Sequence, residues 1–346
     1  MSLLAGWGSF LLTMATFACI WGLLALGLNI HYGFTGLLNF GHVAFFAAGA
    51  YTSAIVTMPP PEQVEGAQYL FGFDLAMPLG FPVSLAFAML VGGVLALLIG
   101  LTSVRLGSHY LAIATFALAG IFEAMLINEA WLTNGTFGMN SVPQPMRDTL
   151  GNDVWPLAYL IFTALCLIAV YVVLTKLLEA PFGRLLRGIR EDEDAAEMLG
   201  KNTSLIKLKS FALGGAVAGL AGGLYAHFLG TVVTEQFIPD VTFVVWAAML
   251  LGGVASSKGV VVGAFIVIAF QEFTRFISTI VEGIESLLPD LLSWIVPAIA
   301  TQLPDHPSFV PSVRFILIGL LFVVVIRYRP EGLFGDPDEV TLMGEE

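Results

Sequence analysis

The sequence predicts an all-α, polytopic transmembrane bundle. Of its 346 residues, 57% are hydrophobic and 12% charged, about half the charged fraction of a soluble domain. The apolar residues fall in long blocks, at 10–30, 79–101, 154–174 and 315–326, and a helix crossing the hydrocarbon core needs roughly 20 such residues. The blocks do not alternate, as the roughly ten-residue strands of a membrane β-barrel would.

Nine spans are expected, within a range of eight to ten, in a single transmembrane domain covering 1–346. The first, 8–30, lacks a basic leader and runs past the length of a signal-peptide core, so it reads as a retained helix. The second, 41–58, is followed by a Pro-rich loop at 59–78, and the third and fourth, 79–103 and 109–128, by a polar loop at 129–153. The fifth, 154–175, leads into a long charged loop at 176–204. Spans at 205–229, 241–255 and 259–280 come next. The connection 281–312 carries an apolar stretch, 287–299, suited to the membrane surface, because Pro289 and Pro297 interrupt it as a span. The last span, 313–327, precedes a tail at 328–346.

Seven of the 14 basic residues lie between Lys176 and Lys209. Placing that segment in the cytoplasm and alternating outward puts 11 inside and leaves Arg147, Arg275 and Arg314 outside, as the positive-inside bias requires. The N-terminus is then outside and the C-terminus cytoplasmic. The net charge of −12 argues against nucleic acid as a partner. Cys19 and Cys166 sit within apolar blocks and read as small buried hydrophobes.

Two glycine-rich interruptions stand out. Asn29, Gly33, Gly36, Asn39, Gly41 and His42 bracket the junction between the first two spans. Polar residues and broken helix at membrane depth line a translocation route or sit where protein buries them. The same glycines also permit close helix packing, and His42 suits helix-end packing. Gly252 and Gly253 open the second break, before Gly259 and Gly263. Paired broken helices in the two halves of a chain point to a transport route.

The charged segment from Arg184 to Gly200 reads as a short helix outside the bilayer, introduced by Pro181 and Gly183 and ended by Gly200 and Asn202. Its apolar residues, Leu186, Ile189, Met198 and Leu199, are too few to span but enough to dock in a partner's groove. A solvated loop held to lipid phosphate by its arginines is the other reading. No HExxH, GxSxG or Walker-type phosphate loop is present, and the five histidines lack ligand spacing. Neither a catalytic nor a metal site is expected.

The residues Leu28-Asn29-Ile30, Gly33, Gly36, Asn39-Phe40-Gly41-His42 and Gly49-Ala50-Tyr51 resemble the N-terminal signature of branched-chain amino-acid ABC permeases of the LivM type. The stretch from Arg190 to Gly200, the run Ala218-Gly219-Leu220-Ala221-Gly222-Gly223, Leu251-Gly252-Gly253, and the closing Arg329-Pro330-Glu331-Gly332-Leu333-Phe334-Gly335 are similar to the same family in the same order. Departures exist: Asp194 stands in place of the usual Glu, Ser108 where Asp is common, and Gly120 and Glu123 where Glu and Arg are expected.

The resemblance implies a permease subunit moving leucine, isoleucine and valine into the cell, with no enzymatic activity of its own. Urea, short amides or another amino acid are alternative cargoes, and a secondary transporter or channel is a more distant alternative. The implied partners are membrane lipid, a second permease of the LivH type, two cytoplasmic ATPases of the LivG and LivF type that bind ATP and Mg, and an extracytoplasmic amino-acid binding protein. The location would be a prokaryotic plasma membrane. Glu191, Glu193, Asp194, Ala195, Ala196 and Gly200 stand where the family couples to its ATPases.

Overall fold

The computed structural model describes residues 3–58, 80–103, 106, 108–287, 319–320, 323, 327–329 and 331–335. The loop 59–78, nearly all of the surface stretch 287–299 and most of 313–327 lie outside the described residues. The helices are α1 (Leu3–Asn29), α2 (His42–Thr57), α3 (Gly80–Ser103), α4 (Ser108–Asn128), α5 (Ala130–Thr133) and α6 (Arg147–Glu179). They continue with α7 (Pro181–Glu191), α8 (Glu193–Met198), α9 (Thr203–Leu229), α10 (Asp240–Gly252) and α11 (Ser257–Leu287). The fold is an all-α bundle, and eight of the nine expected segments fall on helices. Among the described residues, six helices have the length and hydropathy to cross a membrane, and the apolar α2 is shorter. The described residues therefore do not establish the count of nine spans.

Helix α9 forms the centre. It packs against α1, α2 and α3, while α10 and α11 form a hairpin that packs against α1. Without water between helices to reward burial, association depends on close van der Waals approach, which small residues allow. Glycines supply it here. A Cβ at Gly27 of α1 would lie 2.7 Å from the Gly214 carbonyl oxygen of α9, and one at Gly92 of α3 would lie 2.6 Å from that of Gly215. A Cβ at Gly49 of α2 would fall on the backbone of Gly219.

Polar side chains stitch the same core. Ser53 of α2 and Ser84 of α3 both reach Nε2 of His227 on α9, at 2.9 and 3.2 Å. Nδ1 of that histidine donates to the Pro143 carbonyl at 2.7 Å. This contact, with the two-residue antiparallel pairing of Met139–Asn140 and Thr231–Val232, fastens the loop 129–153 to the end of α9. On α6, Gly151 at φ 72° breaks the helix before the membrane run begins.

Candidate functional site

The end of α1 does not stop; it widens. Ile30–Phe34 form a π-helical turn. The Thr35 hydroxyl donates to the Ile30 carbonyl at 2.8 Å, and Leu37 N–H to the His31 carbonyl at 2.8 Å, so side chain and loop take over bonds that the helix has given up. Gly36, at φ 73°, then turns the chain toward α2. Such π turns are found frequently at functional sites.

Asn39 organises the space between the two helices. Its amide nitrogen donates to Nδ1 of His31 at 3.0 Å and lies 3.5 Å from Nδ1 of His42. Its Oδ1 accepts from Gly41 N–H at 2.9 Å. Nε2 of His31 donates to the Phe211 carbonyl at 2.9 Å and Nε2 of His42 to the Leu24 carbonyl at 3.0 Å. Because carbonyls only accept, each ring carries its proton on Nε2 and presents Nδ1 to the asparagine. All three side chains are fully buried. His31 stacks on Phe211 with ring centroids 4.5 Å apart, and Trp246 Nε1 donates to the Asn39 carbonyl at 3.0 Å.

Asn39→Ala would strand two imidazole acceptors and the Gly41 N–H in a buried core. Each unsatisfied group costs about 1–3 kcal/mol, so the variant is expected to melt at a clearly lower temperature in detergent. A thermal midpoint equal to that of wild type would show that the cluster adds nothing to stability.

The second break lies against the first. Asn29 Oδ1 accepts from Ala255 N–H at 3.0 Å. Ala255 itself is held at φ 60°, and Gly253 at φ 116°. A Cβ on Gly33 would approach Ala255 N to 2.7 Å, which explains the glycine there. The chain near the C-terminus closes this corner: Leu333 and Phe334 N–H donate to the carbonyls of Leu251 and Gly252 at 3.0 and 2.9 Å. The structure thus joins Asn29, Gly33, Gly252 and Gly253 at one corner, and Asn39, Gly41 and His42 beside it. Gly36 faces Arg190 instead. In this state these residues are packed and hydrogen-bonded to one another.

The charged segment differs from the single helix expected. It breaks at Asp192, whose backbone is extended (φ −153°, ψ 101°) and whose carboxylate accepts from Ala195 N–H at 2.8 Å. A run of four acids offers a good N-cap in mid-segment, and capping there competes with continuing the helix. Gly200, at φ 76° in open space, ends α8, so the requirement for glycine is conformational. Asn202, expected to end the helical part, instead caps α9 by accepting from Leu205 N–H at 3.0 Å.

The apolar residues divide in the same way. Leu186 and Ile189 turn inward and are buried, whereas Met198 is 87% and Leu199 78% exposed. Glu193 pairs with Lys207 of α9, and Thr203 Oγ1 donates to Glu197 at 2.5 Å. Asp194 and Ala195 are exposed and Ala196 is buried. A cavity of about 500 Å³ separates this segment from the end of the π turn, bounded by Gly36, Arg190, Glu191, Glu193, Asp194 and Lys207. Two features were missed in the sequence: the π turn, and the ties of Arg190 to the Gly33 carbonyl and of Lys207 to Glu193. Only the polar residues inside apolar runs hinted at them.

The family described as branched-chain amino acid transport system / permease component matches residues 10–326. The high-affinity branched-chain amino acid transport system permease protein LivM of Salmonella typhimurium is 32% identical over 76% of this chain and 63% of its own length. That of Escherichia coli is 31% identical over the same shares. The chain therefore spans less than two thirds of these relatives. A probable LivM permease protein of Methanocaldococcus jannaschii is 25% identical over 92% of this chain and 91% of its own. No solved structure matches.

Proposed function

Since the chain belongs to the branched-chain amino acid transport permease family, we propose that it is the permease subunit of an ATP-driven importer of leucine, isoleucine and valine. It is a multi-pass membrane protein. In the proposed assembly it pairs with a second permease of the LivH type and receives cargo from an extracytoplasmic binding protein. Two ATPase subunits of the LivG and LivF type hold ATP and Mg and drive it. The membrane is a prokaryotic plasma membrane, with the N-terminus outside and the C-terminus cytoplasmic.

One observation carries the partnership. Met198 and Leu199 are almost fully exposed at the end of a short helix whose other exposed residues are charged, Ala195 apart. Large apolar side chains in that setting suit a groove on a soluble partner. Glu191, Glu193, Asp194, Ala195, Ala196 and Gly200 form the coupling segment around them. The glycine breaks at Gly33, Gly36, Gly41, Gly252 and Gly253, with Asn29, Asn39 and His42, flank the route and act as its joints. Motion of the ATPases would rock the bundle between outward- and inward-open states.

The test is reconstitution of all subunits in proteoliposomes. ATP-dependent leucine uptake, competed by isoleucine and valine, is the expected result. Uptake of urea or an amide in place of leucine would change the cargo. Transport by this chain alone under an ion gradient would replace the importer reading with a secondary carrier.

A further inference from the structure

The α7–α8 segment is tied to two different kinds of structure. Glu193 of α8 pairs with Lys207 on α9, the glycine-packed centre of the bundle. Arg190, in the last turn of α7, donates from Nη1 to the carbonyl of Gly33 inside the π turn. Beside it, the Arg187 guanidinium lies 5.6 Å from the Phe34 ring centre, over the same turn.

These anchors respond differently to force. A displacement delivered through Lys207 meets a helix locked to α2 and α3 by backbone contact. A displacement delivered to Gly33 meets a π turn held by side-chain and loop hydrogen bonds in place of regular helical ones, the kind of place where helices kink. Gly33 also abuts Ala255 N and Asn29 Oδ1, so its movement reaches both broken helix pairs. Gly36 leaves room for the arginine stem: a Cβ there would sit 3.1 Å from Arg190 Cγ. The cavity beside α7 gives that helix space to move.

We propose that Arg190 is the positioning residue that carries motion of the α7–α8 segment into the two broken helix pairs, through its hydrogen bond to the Gly33 carbonyl. This rests on the importer reading above. The role belongs to the donor rather than to the stem. Methionine keeps most of the stem and loses the bond, while lysine keeps one charged donor.

The experiment uses the complete reconstituted complex and reads molecules transported per ATP hydrolysed. R190M is expected to lower that ratio about tenfold, within the usual range of coupling between sites, and R190K to recover part of the loss. An R190M ratio equal to wild type, or R190K no better than R190M, overturns the proposal. So does failure of R190M to co-purify with the ATPases, since Arg190 would then serve docking.

A second measurement needs no cargo. Spin labels at Gly188 on α7 and Val262 on α11, with Cys19 and Cys166 changed to alanine, are expected to change separation on ATP binding in wild type and not in R190M. No ATP-driven change in wild type, or an equal change in both, overturns it. A wild-type complex that moves these labels but imports no amino acid counts against the importer reading alone.

Discussion

Gly219→Val is expected to yield no folded bundle. Gly219 lies on α9 where α2 and α3 both close on it. A Cβ there would fall on the Ala88 carbonyl oxygen of α3 and lie 3.2 Å from the Gly92 Cα, and the Gly219 backbone in turn fills the space that a Cβ on Gly49 of α2 would need. The atoms in the way are backbone, so no rotamer change relieves them. Overpacking a core costs about 1–3 kcal/mol where side chains can shift, and here whole helices must separate. We expect a cost above that range, read as loss of monodisperse protein after detergent extraction. Gly120→Val, on α4 with nothing within 4 Å, controls for the poorer helix propensity of valine. A normal yield and melting temperature for Gly219→Val would mean that α9 is not packed as described.

The double change Met198→Ser, Leu199→Ser is expected to abolish assembly with the ATPase subunits while leaving this chain folded. Both side chains are largely exposed at the end of α8, so removing them disturbs little internal packing. If they are central anchors of an interface, truncation costs about 2–4 kcal/mol, or roughly a 30- to 700-fold loss of affinity. The readout is co-purification of the ATPases and their affinity for the permease in detergent. Undiminished binding would remove α8 as the docking element. The buried pair Leu186 and Ile189 gives the contrast, because their replacement should lower stability instead of affinity.

Both predictions rest on features that differ in how far they could be read from the chain. The helices were legible because lipid leaves few alternatives: a long apolar block must satisfy its own backbone, and a helix does so. The two glycine breaks were legible for the complementary reason, since glycine and asparagine are costly in a membrane helix unless something needs them. What they needed was not legible. Gly33 and Gly36 both follow the first span, yet one makes room for Ala255 of a distant loop and the other for Arg190 of α7.

The charged segment shows the same limit at shorter range. Its exposure and helical character followed from composition, and four apolar residues were singled out as contacts. Their division into an inward and an outward pair depended on the Asp192 cap, which resets the helix phase between Ile189 and Met198. Capping competes with helix continuation by about 1 kcal/mol, a margin that tertiary contacts such as Glu193–Lys207 can decide.

By itself, then, the chain determined that it is a helical membrane protein, where most helices lie, and where glycine and asparagine interrupt the apolar runs, because hydropathy and backbone satisfaction act locally along the sequence. Only the tertiary structure decided that the two breaks meet, that Asn39 holds two histidines in one buried cluster, and that Arg190 reaches the π turn. Those arrangements depend on which distant backbones approach each other, and that is set by helix packing rather than by any local pattern.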